Sequence, residues 1–350
     1  MRTSQRTVRL VLTEPLRISR STMTAREAVW LTLEHDGQHG HGEAVTSTYY
    51  GLDAEALGRL LHAESRWLAR FAEPETALEA LRHDGREGTP AGVTAAVESA
   101  LLDLVGKRAG VPVHRLLGTF AAPCAATART IGITPPVRAE ARAARLVRDG
   151  FSVLKIKAGS PDPAEDLDRV RAVRAAAPHA RLLLDPNGAW DPGTAERLLP
   201  QFAALGVEAV EQPLAPGTPE ALARLAERSP LPVIADEDAV GPEDARRLAG
   251  RVHGINVKLA KCGGVTAALR IARLIAGTGT ELMLGCLTAS TLGLAPAVHV
   301  ADRARWIDLD GHLLLAHDPW TGIGGTDGTV RASRHPGLGV RPRGSEEAAA

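Results

Sequence analysis

Apolar and polar positions alternate with two different periods along the first third of the chain. Residues 1–50 follow the period of two that is typical of half-buried strands, and the Asp-Gly pair at 36–37 predicts a hairpin turn. Residues 53–72 and 91–109 repeat apolar positions at the spacing of an amphipathic helix. The pattern therefore predicts an α+β unit over residues 1–120.

Eight short apolar runs, separated by helix-like stretches, follow this unit. A closed parallel barrel is favoured over an open sheet, because strands and helices alternate throughout and no Gly-x-Gly-x-x-Gly motif follows the first strand. We assign residues 121–320 to this barrel. The expected strands are TARTIGIT, FSVLKIKAG, ARLLLDPNG, VEAVEQP, LPVIADED, VHGINVKLAK, ELMLGC and RWIDLDG.

Composition excludes several classes of partner. The 41 basic and 41 acidic residues cancel, so no charge excess favours nucleic acid or an anionic membrane surface. No apolar run approaches the ~20 residues of a membrane span, and the N-terminus lacks the apolar core of a signal peptide. Cys124, Cys262 and Cys286 form no CxxC motif, which favours reduced thiols over disulfides or a zinc site. We expect a soluble, cytoplasmic protein with a small-molecule substrate.

Charged residues close several of the predicted strands, about one strand-helix unit apart. Because the C-terminal ends of barrel strands meet at one mouth, where catalytic groups lie, we expect these side chains to converge. A single charged residue at a strand end has no special meaning, since loops begin with polar residues. Five on successive strands indicate a functional site, and they are Lys157, Asp185, Glu211, Asp236 and Lys258.

The residue types of this set suggest a reaction. Three carboxylates at one mouth cannot all be ionised without a cation, and hard oxygen ligands without His or Cys favour Mg²⁺ or Mn²⁺ over zinc. Such an ion can hold a substrate carboxylate and stabilise negative charge that develops on it. Lys157 and Lys258 belong to the second and sixth strands, so they approach from opposite sides. One could remove an α-proton and the other return it to the opposite face.

Several motifs of the chain occur together in one known superfamily. In the barrel they are KIK, DPNGAW, VEQP, ADED and NVKLAKCGG, and outside it GEA at 42–44, AVESALLDLVGKRAGVPVHRLLG at 96–118 and HPGLGV at 335–340. Together they resemble the enolase superfamily, in particular its muconate-lactonizing (muconate cycloisomerase) subgroup. The resemblance implies a modified TIM barrel, (β/α)7β, with an α+β capping domain that residues 321–342 rejoin. Residues 343–350 are expected to form a disordered tail.

The resemblance also implies roles for individual residues. Lys157 and Lys258 would be the acid/base pair. Lys155 would bind substrate, Asn187 would support the site, and Lys261 would lie near the mouth. The Mg²⁺ ligands, one ion per subunit, would be Asp185, Glu211 and Asp236.

Two acids in the eighth predicted strand discriminate among the reactions of the subgroup. Asp308 and Asp310 would project from the same face of that strand at the mouth, where they would repel a second carboxylate and attract an ammonium. Dipeptide epimerases of the L-Ala-D/L-Glu type carry an Asp-x-Asp at this place. We therefore expect a Mg²⁺-dependent dipeptide epimerase, an isomerase that inverts the α-carbon of the C-terminal residue through a metal-stabilised enolate.

Other interpretations stay open. Asp308 and Asp310 could pair with Arg303 or Arg305, or cap the next turn. N-acylamino acid racemase, o-succinylbenzoate synthase and muconate cycloisomerase are alternatives within the subgroup, since the fold does not settle the reaction. A barrel that binds a ligand without catalysis is an alternative of another class.

The identity of the dipeptide has little support in the sequence. Arg20, in a loop of the capping domain, resembles the arginine that some Ala-Glu epimerases place against the acidic side chain of the substrate. Small residues at 288–290, after the seventh strand, leave that wall of the pocket open or apolar. The accepted side chains and the pathway stay open, and we expect a homo-oligomer of unspecified size.

Overall fold

Three antiparallel strands and a group of helices form the N-terminal part of the protein, of which this computed structural model describes residues 1–344. The strands, in spatial order, are β1 (Arg2–Ile18), β2 (Ser21–His35) and β3 (Gln38–Val45). The α-helices are α1 (Ala54–Leu68), α2 (Pro74–Asp84), α3 (Ala91–Arg108) and α4 (Val113–Leu116).

Local sequence explains how these elements begin and meet. The predicted hairpin turn is confirmed, with positive φ angles of 48° at Asp36 and 73° at Gly37, as a two-residue turn between twisted strands requires. The long helix α3 packs against β3 at Gly42, where an added Cβ would lie 2.1 Å from the carbonyl oxygen of Ala96. A glycine at this position lets the helix lie directly on the sheet.

Eight parallel strands form the barrel, which confirms the predicted (β/α)7β fold. All neighbouring strands from first to last pair in parallel, and helices occupy the connections. A short strand, β4 (Cys124–Ala126), precedes the barrel. The barrel strands are β5 (Ala128–Ile131), β6 (Val153–Lys157), β7 (Arg181–Asp185), β8 (Val207–Glu211), β9 (Val233–Ala235), β10 (Gly254–Val257), β11 (Glu281–Leu284) and β12 (Trp306–Ile307).

The barrel helices start where the sequence places proline. Five of them have Pro in their first turn, where its missing N–H is not needed and its fixed φ suits a helix. The helices are α5 (Pro136–Arg148), α6 (Pro163–Ala176), α7 (Pro192–Ala204), α8 (Pro219–Arg228), α9 (Pro242–Leu248), α10 (Leu259–Cys262), α11 (Val265–Ile275) and α12 (Thr291–Val298).

Side chains close the barrel between its first and last strands. No backbone ladder among the described residues joins β5 to β12. Instead the Leu309 N–H donates to Thr127 Oγ1 at 2.8 Å, and the Thr130 N–H donates to Asp310 Oδ2 at 2.7 Å.

The prediction that Asp308 and Asp310 lie on one face of the eighth strand is wrong. Strand β12 ends at Ile307, and Asp310 directly precedes a short 3-10 helix at residues 311–314.

The C-terminal segment runs back to the N-terminal helices. Strand β13 (Trp320–Thr321) pairs with β15 (Arg341–Pro342), and β14 (Thr329–Arg331) pairs with β4. The Leu338 N–H donates to Asp103 of α3 at 2.8 Å. The division at residues 120, 320 and 342 stays a prediction, and residues 345–350 of the predicted tail lie outside the described residues.

Within residues 1–344, the helices are all too short or too polar to cross a membrane.

Candidate active site

The charged residues predicted at the barrel mouth lie at the C-terminal ends of the strands or one residue beyond them. Each of these side chains is largely buried. Strand ends converge at the mouth, so residues far apart in sequence become neighbours. The last residues of β6, β7 and β8 are Lys157, Asp185 and Glu211, and the residues that follow β9, β10 and β12 are Asp236, Lys258 and Asp308.

Lys155 is the most highly connected cation of the mouth. Its Nζ lies 2.6 Å from Glu211 Oε2, 2.7 Å from Asp308 Oδ2 and 3.0 Å from Asp185 Oδ2. It precedes Lys157 by two residues on β6, so both side chains point to the same face of the strand. Burial alone would lower the pKa of Lys155, but the three carboxylates raise it well above its usual range. The three carboxylates therefore favour the charged form of Lys155.

Lys157 and Lys258 approach the carboxylates from different sides. Lys157 donates to Asp185. Lys258 Nζ lies 2.6 Å from Asp236 Oδ2 and 3.9 Å from Glu211 Oε1. The strands that carry these lysines, β6 and β10, lie four positions apart in the eight-stranded order. The two lysines therefore come from opposite sides of the barrel.

Lys261 and Asn187 hold the metal-ligand candidates in place. Lys261 Nζ, on α10, lies 2.7 Å from Asp236 Oδ1 and 2.9 Å from the carbonyl oxygen of Asn256. Burial would raise the pKa of Asp236, but Lys258 and Lys261 hold it well below its usual range. The Asn187 N–H donates to Asp185 Oδ1 at 2.9 Å. Sequence reasoning missed Asn256, whose side-chain amide donates to Glu211 Oε1 at 2.7 Å.

The carboxylate triad is our name for Asp185, Glu211 and Asp236. Within residues 1–344, no three His, Cys, Asp or Glu side chains are arranged as a ready-made metal site. Lysine ammonium groups lie against each member of the triad. Burial and the charge of Asp185 raise the pKa of Glu211 to about 7. Four lysine ammonium groups, those of Lys155, Lys157, Lys258 and Lys261, lie in ion-pair contact with the three carboxylates.

The two acids after β12 have different partners. Asp308 places Oδ2 on Lys155, while its buried Oδ1 has no hydrogen-bond partner among the described residues. Asp310 Oδ2 accepts from Arg129 at 3.0 Å and from the Thr130 N–H. The pairing with Arg303 or Arg305 considered above is thus replaced by Lys155 and Arg129. Arg129 was missed, although a charged residue within the apolar run TARTIGIT was a signal.

A turn of the N-terminal sheet reaches over the mouth. Arg20, between β1 and β2, places Nη2 2.8 Å from Glu237 Oε1 and donates from Nη1 to the carbonyl oxygen of Asn187 at 3.0 Å. Its guanidinium lies 5.3 Å from the ring centre of Tyr49. The neighbouring residue Tyr50 lies close enough to Asp236 that burial and the charge of Asp236 raise the pKa of its hydroxyl, so Tyr50 stays neutral beside the triad. Sequence reasoning missed Glu237, whose signal was its position directly after Asp236 in ADED.

A small apolar cavity adjoins Lys258 beneath β3. Its volume is about 40 Å³. The segment at 288–290 forms part of its wall, and the Ser290 N–H donates to Glu43 of β3 at 2.9 Å. The N-terminal sheet therefore closes this wall, and the charged side chains of Glu43 and Lys258 also line the cavity. The apolar lining includes Val45, Leu259, Cys286, Leu287, Ala289 and Leu294.

A parallel (β/α)7β barrel, a separate antiparallel sheet and a mouth of interleaved lysines and carboxylates define an enolase-like barrel protein. The chain belongs to the mandelate racemase/muconate lactonizing enzyme family of the enolase superfamily. Residues 2–118 match "Mandelate racemase / muconate lactonizing enzyme, N-terminal domain", and residues 138–347 match "Enolase C-terminal domain-like". The resemblance found in the sequence is confirmed.

Similar proteins are dipeptide epimerases, which are isomerases. The hydrophobic dipeptide epimerase of Roseobacter litoralis is 35% identical over 347 residues, covering 97% of this chain and 98% of that enzyme. A substrate-liganded L-Ala-D/L-Glu epimerase from Bacillus subtilis matches with a TM-score of 0.91 and 28% identity, covering 98% of both chains. A dipeptide epimerase from Enterococcus faecalis, complexed with Mg and L-Leu-L-Tyr, matches with a TM-score of 0.90 and 29% identity, covering 97% of this chain and 98% of that chain.

Proposed function

We propose that this protein is a Mg²⁺-dependent dipeptide epimerase that inverts the α-carbon of the C-terminal residue. The observation that carries the proposal is the placement of Lys157 and Lys258 on opposite sides of the buried carboxylate triad. A base on each side of one α-carbon is what a two-way proton transfer requires. The dipeptide epimerases among the similar proteins support the same reaction class.

The donor set of the triad fits a hard divalent cation. Its carboxylate oxygens are buried and come from the ends of three neighbouring strands. Mg²⁺ prefers carboxylate ligands of this kind, and we expect Mn²⁺ to substitute for it. The residues that would hold it are Asp185, Glu211 and Asp236. When bound, the ion would supply positive charge to the substrate carboxylate.

The two lysines would then move the proton. With one lysine neutral and the other charged, the neutral Nζ accepts the α-proton and the charged Nζ on the opposite side donates one, which inverts the carbon. The reverse reaction exchanges these roles, so Lys157 and Lys258 are each the base for one epimer. Lys155 and Lys261 remain in their ion pairs with the carboxylates and position them.

The free end of the dipeptide would lie near the acids after β12. Asp308 offers a buried carboxylate oxygen with no other described partner, which suits an α-ammonium. Asp310 adds a second negative charge beside it, although its Oδ2 already accepts two hydrogen bonds. An N-acylated substrate lacks the ammonium and would leave Asp308 Oδ1 without a partner, while Oδ2 stays paired with Lys155.

A direct test is a dipeptide library incubated with the protein and Mg²⁺ in deuterated water. Mass spectrometry should detect exchange of the α-hydrogen of C-terminal residues, and chelation of the metal should abolish it. Exchange of N-acetylated and free dipeptides at equal rates would instead favour an N-acylamino acid racemase. A lack of exchange across the library would favour a barrel that binds a ligand without catalysis.

Two further expectations belong to this proposal. We expect the enzyme to act in the cytoplasm and to assemble as a homo-oligomer. Sedimentation of the purified protein would test the assembly.

A further inference from the structure

A buried ion pair on α6 lies against the backbone of Lys157 and takes no part in the proton transfer described above. Its members are Asp166 and Arg169, one helical turn apart, with 2.6 Å between Arg169 Nη1 and Asp166 Oδ1. Their side chains are 0% and 2% exposed. Burying two charges costs free energy that their attraction does not reliably offset, so burial alone is weak evidence that the pair stabilises the fold. The other contacts of the pair show what it holds in place.

Asp166 holds the loop that leaves β6 directly after Lys157. Its Oδ2 accepts from the N–H groups of Gly159 at 2.8 Å and Ser160 at 3.1 Å, and its Oδ1 accepts from Ser160 Oγ at 2.7 Å. Gly159 has a φ of 90°, and an added Cβ would lie 2.5 Å from Ala189 Cβ, so a residue with a side chain does not fit there. The backbone two and three residues after Lys157 is therefore tied to the first turn of α6.

Arg169 joins the ends of two neighbouring barrel strands. Its Nη1 donates to the carbonyl oxygen of Lys157 at 3.3 Å, and its Nε donates to the carbonyl oxygen of Thr134, in the segment that follows β5, at 2.8 Å. Its Nη2 donates to Ser160 Oγ at 3.1 Å. The guanidinium thus binds the main chain of Lys157, while the side chain of the same residue extends into the mouth and donates to Asp185.

We propose that Asp166 and Arg169 are positioning residues that hold the backbone of Lys157, and with it the amine, where proton transfer requires it. This inference rests on the proposed two-lysine reaction and adds to it two residues that act through the main chain of one base. Proton transfer depends on placement, since a misplacement of about 1 Å can lower a rate about 100-fold. Lys258, on the opposite side, is held by Asp236, and its described ion pairs involve neither member of the α6 pair. Loss of the pair should therefore impair one base and spare the other.

The two bases can be measured separately by solvent exchange. In deuterated water, each lysine exchanges the α-hydrogen of the epimer from which it removes the proton, and mass spectrometry of the recovered, uninverted dipeptide follows that exchange. The Lys157 epimer is our name for the one whose exchange is lost in Lys157→Ala. Arg169→Met and Asp166→Asn should each lower exchange from the Lys157 epimer by roughly 10- to 100-fold and leave exchange from the other epimer close to the wild-type rate. Epimerisation should fall in both directions, because it needs both lysines.

The same helix supplies a matched control. Arg171→Gln removes an ion pair with Asp168 that has the same spacing on α6 but is exposed, with 2.8 Å between its charged atoms. Exchange from both epimers should stay at the wild-type rate in this variant. Arg169→Lys is a graded comparison, because it keeps the positive charge but presents a single ammonium in place of the planar fork that reaches several acceptors. Its exchange from the Lys157 epimer should lie between those of the wild type and Arg169→Met.

A milder variant covers the case in which loss of a buried charge prevents folding. Ser160→Ala removes one hydrogen bond from each member of the pair and leaves the two charges together. It should lower exchange from the Lys157 epimer selectively, though less than Arg169→Met does. Circular dichroism and urea unfolding show which variants are folded.

The outcomes separate this inference from the proposed function. If folded variants lose exchange from both epimers equally, or from neither, the positioning role is overturned and the epimerase proposal stands. A selective loss for the Lys157 epimer supports the role, because a general loss of structure would lower exchange from both epimers. A wild type that exchanges no α-hydrogen across the dipeptide library would overturn the proposed function and this inference together.

Discussion

The two acids that follow β12, Asp308 and Asp310, are expected to differ in what their substitution costs: stability as well as activity at Asp310, and activity alone at Asp308. Asp310 Oδ2 accepts the buried Thr130 N–H at 2.7 Å and Arg129 at 3.0 Å, and so holds the first and last strands of the barrel together. Asp310→Ala would leave that N–H unpaired, which costs about 1–3 kcal/mol. It would also leave the mostly buried guanidinium without its partner, and breaking such a pair costs about 3–5 kcal/mol.

The two costs for Asp310 overlap, because one carboxylate oxygen serves both donors. We expect Asp310→Ala to lower the free energy of unfolding by about 3–5 kcal/mol in total. Asp310→Asn retains an acceptor for the Thr130 N–H but loses the charge, so it should cost about 1–3 kcal/mol. Activity should fall along with stability in both variants.

Asp308→Asn should separate activity from stability. Lys155 keeps Asp185 and Glu211 as partners, and Asp308 already has an oxygen without a described partner, so the stability loss should be under about 1 kcal/mol. Losing a charge-assisted hydrogen bond to the ammonium should cost about 2–4 kcal/mol in the transition state, or roughly 30- to 1000-fold in kcat/KM. An N-acetylated dipeptide should lose less than the free one.

Urea unfolding measures the free energy of unfolding of each variant, and steady-state kinetics with free and N-acetylated dipeptides measures kcat/KM. Asp327→Asn, at an exposed ion pair with Arg331, is the control and should leave the free energy of unfolding close to that of the wild type. If Asp310→Asn were as stable as this control, the closure of the barrel by Asp310 would be refuted. If Asp308→Asn kept the wild-type kcat/KM for a free dipeptide, the ammonium would bind elsewhere.

Replacing Lys157 or Lys258 with Ala should abolish epimerisation of both epimers and leave α-hydrogen exchange from one epimer at most; a variant that still epimerises at near the wild-type rate would exclude the two-lysine mechanism. Asp185→Asn, Glu211→Gln and Asp236→Asn should each weaken Mg²⁺ binding, which calorimetry measures. Unchanged Mg²⁺ affinity in all three variants would place the ion elsewhere. Burial lowers the pKa of His299 from 6.5 to about 4, so the unfolded state binds the proton first as the pH falls. Its contribution to the free energy of unfolding should be constant above about pH 7 and fall by up to about 3 kcal/mol between pH 6.5 and 4. In His299→Asn the free energy of unfolding should depend less on pH between 6.5 and 4. A pH dependence parallel to that of the wild type would contradict the assignment of this loss to His299.

Much of the architecture was predictable because it depends on local patterns. A period of two and a period near 3.6 distinguish strands from helices, and proline marks the starts of five barrel helices. The strand-end positions of the lysines and the carboxylate triad follow from the repeat of strand and helix. Their proposed roles, however, depend on the resemblance and on chemistry, and they stay predictions.

The extent of each strand was less predictable from the chain alone. RWIDLDG has the alternation of a full strand, but only Trp306 and Ile307 pair with β11, and the last hydrogen bond to β11 is donated by the Asp308 N–H to the carbonyl oxygen of Leu284. A strand continues only while a neighbour supplies hydrogen bonds, so its end depends on the partner as well as on its own sequence. This difference moved Asp308 and Asp310 off a common strand face and gave them separate partners.

By itself, the sequence determined the barrel, the capping sheet and most of the charged residues at the mouth, but not Arg129 or Glu237. Only the tertiary structure decided which charges meet: Lys155 with Asp308, Arg129 with Asp310, and Arg20 with Glu237. The partners in these pairs are between 153 and 217 residues apart, and neither the helical nor the strand period carries information over such distances. A period specifies the face on which a side chain lies, while the closure of the barrel and the docking of the sheet specify what that face meets.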